Sequence, residues 1–196
     1  VLISDRHILT NRHVVEAYRE AIEAGGVGIE FFGEIGSDAS EFVPFKTSGI
    51  EFPTGLDLAV LSLETAPKDR APVGLPMISD TLEGRDIAVI GYPDPIERDA
   101  DVLALVETPP VFAVKRVSTG KIFRHSSDTD QIFGVEAPVG QLISESGTVP
   151  ALCHNASTLG GSSGSPVIDL ETGEILGLHF GYDIAFNWAE PANFAL

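Results

Sequence analysis

The chain has 196 residues, 43% hydrophobic and 21% charged, enough apolar mass to bury a core in one compact unit or in two half-domains. Its formal net charge of −17 argues against nucleic acid and anionic membrane as partners, because both select basic surfaces. A single cysteine excludes an internal disulfide, and no apolar run is long enough to span a bilayer. The first residues show no signal-peptide pattern, so the sequence leaves the compartment open.

Short strand-like segments dominate the chain from its first residues. Residues 1–4 and 7–10 are predicted to form a hairpin around Asp5-Arg6, and residues 14–24 a helix that ends at Gly25-Gly26. Thr172-Gly173 predicts a second hairpin turn, between apolar runs at 166–170 and 175–180. Other strands are predicted at 28–32, 42–46, 58–63, 87–91, 111–117, 131–135 and 165–168.

Many short strands joined by glycine- and proline-rich connections predict an all-β fold of barrels or a sandwich rather than a doubly wound sheet. Residues 65–77 contain Pro67, Pro72 and Pro76 and little periodicity, which is typical of a linker. We therefore divide the chain into an N-terminal half at 1–70 and a larger C-terminal half at 71–196.

The glycine- and serine-rich loop at 158–167 has the composition of a nucleophile site. A serine nucleophile needs an accessible Oγ and main-chain N–H groups directed at the developing oxyanion. Gly161 and Gly164 permit the tight backbone of such an anion-binding loop. Ser163 is the candidate nucleophile, with the N–H groups of Gly161 and Ser163 as oxyanion donors; a plain surface loop is the alternative.

The sequence also contains a candidate general base and a candidate anion to act with Ser163. His13 lies between a predicted strand and a predicted helix, where its side chain can face a cleft and act as general base. Asp57 opens the apolar strand 58–61, where an unpaired buried carboxylate would be costly, so it is the candidate to orient His13. A structural histidine and a turn-capping aspartate are the alternatives for each residue alone.

Three segments resemble the signatures of chymotrypsin-like (trypsin-like) serine proteases: Thr-Asn-Arg-His-Val-Val at 10–15, Asp-Leu-Ala-Val-Leu at 57–61 and Gly-Ser-Ser-Gly-Ser-Pro-Val at 161–167. The chain order His, Asp, Ser is also theirs. The resemblance implies two packed antiparallel β-barrels with the active site in the cleft between them. It implies a serine endopeptidase with the triad His13, Asp57 and Ser163, the first two in barrel 1–70 and the serine in barrel 71–196.

Residues 157–167, followed by Ile-Leu-Gly-Leu-His-Phe-Gly at 175–181, resemble the bacterial glutamyl-endopeptidase branch of this family. That resemblance implies that Thr158 and His179 line the S1 pocket. An imidazole and a hydroxyl can hydrogen-bond a P1 carboxylate or carboxamide, so we expect Glu or Gln at P1. Glu should gain as the pH falls and His179 becomes charged.

Other functions compete with that of an endopeptidase. The main alternative is a catalytically idle peptide-binding or regulatory module of a larger protein. It stays open because the family usually has a strand before the position of Val1 and a helix at its end, and this sequence shows neither. An esterase could use the same triad. A cysteine nucleophile is disfavoured, because Cys153 and His154 are adjacent in a strand-like run and would point to opposite faces.

Nothing in the sequence calls for a cofactor. No Cys, His or Asp cluster has the spacing of metal ligands, and no phosphate-binding glycine loop occurs, so we expect no metal and no cofactor. The expected partners are protein or peptide substrates and further domains of a longer chain.

Overall fold

The structure, a computed structural model, describes residues 1–34, 38–75, 82–94, 114–126, 130–132, 135–137, 151–182 and 187–191. These residues form thirteen strands and two short helices. The elements are β1 (Leu2–Ser4), β2 (His7–Asn11), α1 (Arg12–Ala17), α2 (Arg19–Glu23), β3 (Gly28–Glu30), β4 (Phe42–Glu51), β5 (Leu58–Leu63), β6 (Asp86–Gly91), β7 (Arg116–Ser126), β8 (Asp130–Ile132), β9 (Val135–Ala137), β10 (Ala151–His154), β11 (Pro166–Asp169), β12 (Ile175–Tyr182) and β13 (Asn187–Pro191).

The N-terminal half is an antiparallel five-stranded sheet with the order β1-β2-β5-β4-β3. One face of β2 and β5 packs into a core with one residue from each helix, Val15 and Ile22. The other face is also apolar and packs with Leu178. The pairing of β2 with β5 sets Asn11 opposite Leu58. The last residue of β2 therefore lies beside the first residue of β5, and the segments that follow and precede them are brought together.

The C-terminal half is a closed barrel of six strands, ordered β10-β13-β12-β11-β6-β7. Its interior is filled by buried aliphatic residues from these strands, among them Ile87, Leu152 and Leu176. Leu178 of β12 instead packs outside this interior, in one cluster with Leu58 and other leucines of the N-terminal half. This cluster joins the two halves next to the ends of β2 and β5.

Several predicted elements appear close to their expected positions, but β7 continues to Ser126, well beyond the predicted end at 117, and β13 was not predicted. The helix predicted at 14–24 is two helices, because Tyr18 between them has non-helical backbone angles of φ −111° and ψ 11°. The strand predicted at 42–46 continues to Glu51. The hairpin turn at Thr172-Gly173 has Gly173 at φ +75°, a left-handed conformation that favours glycine. The strands predicted at 111–117 and 131–135 lie partly outside the described residues.

The strands of the first sheet lie between residues 2 and 63, and those of the barrel between 86 and 191. The predicted boundary after residue 70 stays a prediction, and residues 76 and 77 of the predicted linker lie outside the described residues. In the described part of the chain, no helix is both long and apolar enough to cross a membrane.

Candidate active site

His13 and Asp57 form a hydrogen-bonded pair at the edge of the N-terminal sheet. The ring Nδ1–H of His13 donates to Asp57 Oδ2 at 2.6 Å, and the main-chain N–H of His13 donates to Asp57 Oδ1 at 3.0 Å. The His13 side chain is 44% exposed, whereas that of Asp57 is 3% exposed. The carboxylate is thus buried with both oxygens satisfied, and the outer nitrogen of the imidazole is left for other partners.

The main chain of Asp57 is held by the two residues before His13. The Asn11 side chain donates from Nδ2 to the Asp57 carbonyl at 3.2 Å, and the Arg12 main-chain N–H donates to the same carbonyl at 3.0 Å. Asn11 is fully buried. Three consecutive residues therefore fix Asp57, so that small movements of the β2–α1 corner carry histidine and aspartate together.

The loop before β11 has the backbone that the sequence predicts. Gly161 and Gly164 have φ angles of +84° and +83°. The main-chain N–H of Gly164 donates to the His179 carbonyl at 2.8 Å, and the His179 N–H donates to the Ser165 carbonyl at 2.8 Å, which ties the loop to β12. Within the described residues, the N–H groups of Gly161 and Ser163 donate to no acceptor. Both are therefore available to an oxygen of a ligand.

Both glycines of this loop are in close contact with neighbouring segments. A Cβ added to Gly161 would lie 2.6 Å from the main-chain nitrogen of Asp94, and one added to Gly164 would lie 2.6 Å from Thr10 Oγ1. Ser163, which is half-buried, lines a cavity of about 480 Å³ between the sheet and the barrel, together with Thr10. Among the described residues, no hydrogen bond links its hydroxyl to His13.

Thr158 and His179 lie on neighbouring parts of the barrel wall. Asn187 of β13 donates from Nδ2 to the Ala156 carbonyl at 2.9 Å, which turns its Oδ1 toward Thr158. The Thr158 hydroxyl donates to that Oδ1. The hydrogen of the Thr158 hydroxyl is thereby used, and its oxygen remains an acceptor. Neither Thr158 nor the buried His179 lines the cavity that Ser163 lines.

His179 and His154 form a buried pair of imidazoles. Their ring centroids are 5.5 Å apart, with an interplanar angle of 64°. Burial lowers the pKa of His179 to about 4; a protonated His13 would lower it further, and the Trp188 carbonyl acts in the opposite direction. Burial, followed by the charge of His179, lowers the pKa of His154 to about 3. Both rings are neutral at pH 7. The gain of charge by His179 that the sequence predicts should therefore occur only near pH 4.

A model of the trypsin-like peptidase domain family matches residues 1–178. This chain belongs to that family. The match confirms the prediction of a trypsin-like serine endopeptidase, a hydrolase that acts on proteins or peptides. No curated protein sequence matches the chain.

Solved structures of proteases share the fold of this trypsin-like peptidase domain. A Glu endopeptidase has a TM-score of 0.62 at 18% identity, over 100% of this chain and 79% of its own. Deg5 has a TM-score of 0.60 at 20% identity, over 100% and 77%. The active form of the Rv3671c protease from M. tuberculosis has a TM-score of 0.59 at 20% identity, over 99% and 68%. At these identities the likeness shows the fold, and it confirms the predicted all-β chymotrypsin type.

Three residues of this region have roles that the sequence motifs do not predict. Asn11 holds the Asp57 carbonyl, Asn187 orients Thr158, and Glu190 is a fully buried carboxyl on β13. Glu190 alone had a visible signal, a charged residue directly after the apolar pair Trp188-Ala189. The two asparagines carry no such signal in the sequence, because asparagine is also common in turns that have no functional role.

The described residues contain no group of three or more His, Cys, Asp or Glu side chains that could hold a metal ion. Cys153 packs with Phe180 and Trp188, whereas the neighbouring His154 contacts His179. The two side chains lie on opposite faces of β10, as alternation along a strand requires. They do not form a nucleophile–base pair.

Proposed function

We propose that this trypsin-like domain cleaves peptide bonds with His13 as general base, Asp57 as its orienting anion and Ser163 as nucleophile. The observation that carries the proposal is the His13–Asp57 pair, a buried carboxylate bonded to the inner nitrogen of a half-exposed imidazole. A carboxylate on Nδ1 selects the tautomer in which the outer nitrogen, Nε2, is a free base.

The proposed reaction has two halves. The Ser163 Oγ attacks the scissile carbonyl while its proton passes to His13 Nε2, and the imidazolium formed is stabilised by Asp57. His13 then gives that proton to the leaving amine, which departs and leaves an acyl-enzyme. A water molecule repeats the sequence and releases the acid, with the proton returned to Ser163. No cofactor is needed for any of these steps.

The oxyanion of both tetrahedral intermediates is proposed to bind the N–H groups of Gly161 and Ser163. Their lack of any other acceptor in the described part of the chain supports this role. The positive φ of Gly161 is a backbone state that lets successive N–H groups converge on an anion. The two hydrogen bonds that join Gly164 and Ser165 of the loop to His179 keep these donors in place before substrate arrives.

We also propose that Thr158 and His179 select Glu or Gln at P1. Thr158 can only accept from a P1 side chain, because its hydrogen is donated to Asn187. Neutral His179 can donate from a ring N–H to a side-chain carbonyl oxygen. A Gln carboxamide offers both an acceptor and a donor, whereas a Glu carboxylate offers acceptors only. We therefore expect Gln to be cleaved at least as well as Glu near pH 7.

A fluorophosphonate probe tests the proposed nucleophile, because it reacts with activated serines. The native protein should be labelled, and Ser163→Ala and His13→Ala should not be, with peptide hydrolysis lost by orders of magnitude. Matched controls are Ser48→Ala and His7→Ala, two exposed residues outside the proposed site, which should label normally. Full activity in Ser163→Ala would sink the assignment.

A second candidate, an idle peptide-binding module, has one observation in its favour. No hydrogen bond joins Ser163 to His13 among the described residues. In peptidases without substrate this bond is often long, and it shortens when substrate binds. A protein that binds peptides but neither labels with the probe nor cleaves any peptide would establish this candidate instead.

The P1 proposal is tested with peptides that differ only at P1, containing Glu, Gln, Leu, Phe or Lys. Wild type should cleave after Gln and Glu, and His179→Ala should lower kcat/KM for these two far more than for Leu. Thr158→Val, which keeps the shape and removes the acceptor, should lower cleavage after Gln more than after Glu. Equal or better cleavage of the Leu, Phe or Lys peptides by wild type would refute the proposal.

A further inference from the structure

The cavity between the first sheet and the barrel is apolar and reaches the proposed nucleophile. Its volume is about 480 Å³, which lies within the range of about 300–1000 Å³ of sites that hold small ligands. Ser163 forms part of its wall, and much of the remaining wall consists of aliphatic side chains such as Val14 and Ile90. Tyr18 and Tyr92 also line it and are 56% and 37% exposed, so the cavity can be entered from the protein surface.

The cavity lies on the histidine side of Ser163. Its wall includes Val14, which follows His13 in the chain, and Thr10, which precedes His13 by three residues. The two residues proposed to bind the P1 side chain, which belong to the barrel wall, do not line it. The P1 pocket and this cavity are therefore separate spaces.

The proposed mechanism determines which part of a substrate meets the cavity. His13, as general acid, must reach the nitrogen of the leaving amine in order to protonate it. The residue that carries this nitrogen is the first one after the scissile bond, P1′. Since the P1 side chain is held by the barrel wall, the P1′ residue is the part of the substrate that lies on the side of His13, next to the cavity.

We propose that the cavity binds the P1′ side chain and selects a large apolar residue there, Leu or Phe. The inference rests on the proposed function and adds a second specificity site to it. Among the described residues, no charged side chain lines the cavity. A charged P1′ side chain would lose its hydration without gaining a partner, whereas an apolar one gains contacts with the aliphatic wall.

A carboxylate lies next to Gly161, which is also part of the cavity wall. A Cβ added to Gly161 would lie 2.8 Å from the Cγ of Asp94. Asp94 is exposed and forms no ion pair within the described part of the chain. Its charge repels an acidic group that approaches the cavity, an effect that salt weakens. We therefore expect Asp at P1′ to be the least favourable residue.

Acyl transfer measures binding on this side of Ser163 separately from the choice of P1. An ester substrate acylates the Ser163 Oγ, and its alcohol leaves with the serine proton. The acyl carbon is then attacked by water or by the nitrogen of an added amino-acid amide. The Ser163 Oγ leaves, and the proton of the attacking nitrogen or water passes through His13 to that Oγ.

The added amine occupies the P1′ position, so its side chain reports on the cavity. At equal concentrations, leucinamide and phenylalaninamide should each give about 10- to 100-fold more transfer product, relative to hydrolysis, than glycinamide. The α-amide of aspartate should give the least. Equal yields from leucinamide and glycinamide in an enzyme that hydrolyses the ester would overturn the inference.

Tyr92 provides the variants. Tyr92→Ala removes a ring from the cavity wall and should reduce the preference for leucinamide over glycinamide several-fold, whereas Tyr92→Phe should keep that preference. The matched control is Tyr182→Ala, since Tyr182 is 47% exposed and does not line the cavity. The ratio compares two amines on one acyl-enzyme, so a general loss of activity or stability does not change it. A ratio that stays unchanged in Tyr92→Ala would contradict the proposal.

Peptide binding to Ser163→Ala separates this inference from the proposed function. Calorimetric titration with two peptides that differ only in Leu or Gly at P1′ should show Kd lower by about tenfold or more for the Leu peptide. Tighter binding of the Leu peptide, in a protein whose native form neither labels with a fluorophosphonate nor cleaves any peptide, would keep the apolar site and refute the proposed peptidase. Labelling and cleavage without any preference for Leu over Gly at P1′ would refute the site and keep the peptidase.

Discussion

Replacing Gly161 with alanine should disable the proposed oxyanion site while leaving the fold in place. Gly161 has a φ of +84°, where a side chain is strained. Its new Cβ would lie 2.6 Å from the main-chain nitrogen of Asp94 and 2.8 Å from the Asp94 Cγ. The Asp94 N–H donates to the Gly160 carbonyl at 2.9 Å, so neither segment can move away without turning the peptide that carries the Gly161 N–H.

The size of the effect follows from these contacts. A left-handed backbone costs an L-residue about 1–2 kcal/mol, and the contact with Asp94 requires a shift of several tenths of an ångström. A misplacement of about 1 Å costs on the order of 100-fold in rate, and loss of one oxyanion donor costs about 100- to 1000-fold in kcat. We therefore expect kcat to fall by about 100-fold or more, with KM changed only a few-fold.

The assay compares Gly161→Ala with Gly173→Ala. Gly173 has a similar φ of +75° but lies in an open turn, where an added Cβ meets nothing within 4 Å. Gly173→Ala should lose about 1–2 kcal/mol of unfolding free energy in guanidinium titrations because of backbone strain, and Gly161→Ala should lose more because its Cβ also meets Asp94. Only Gly161→Ala should lose kcat. Equal kcat values for the two variants, or a Gly161→Ala effect confined to KM, would refute the reasoning.

Three further predictions concern buried polar groups. Asn11→Ala removes a donor to the Asp57 carbonyl, and we expect a loss of about 1 kcal/mol in unfolding free energy and a several-fold lower kcat, measured by denaturant titration and steady-state kinetics. The lowered pKa values of His154 and His179 make the unfolding free energy rise with pH up to about 6.5. The pKa of Glu190 is raised from 4.5 to about 8 in the folded state, so its own contribution is full below pH 4.5 and adds a falling slope of up to about 1.4 kcal/mol per pH unit as the pH rises toward 8. Glu190→Gln should abolish that slope in titrations at pH 5, 6, 7 and 8; an unchanged slope would mean that Glu190 is not the group. Arg85→Gln removes the 2.5 Å charge-assisted hydrogen bond to the buried Asp169 and should cost about 2 kcal/mol without changing kcat/KM of the folded protein.

Features set by neighbours along the chain were predictable from the sequence. β5 has the predicted bounds of 58–63, and β6 begins one residue before the predicted 87, because runs of apolar residues bounded by turn residues are a local property. The predicted backbone of the loop at 158–167 is also local, since Gly161 and Gly164 are the residues that tolerate positive φ. The break of the predicted helix at Tyr18 could not be predicted from the sequence. Val15 and Ile22 on its two sides have helical spacing, and both belong to the core.

Contacts between distant segments required the folded structure. His13 and Asp57 are 44 residues apart and meet because β2 pairs with β5 in one register. The sequence motifs identify both residues as candidates. Neither the 2.6 Å bond between them nor the burial of the carboxylate can be inferred from a motif. The charge states of His179 and Glu190 are less predictable still. A pKa depends on how completely water is excluded from every side, and that is set by the closing of the barrel and by the half of the chain that packs against it.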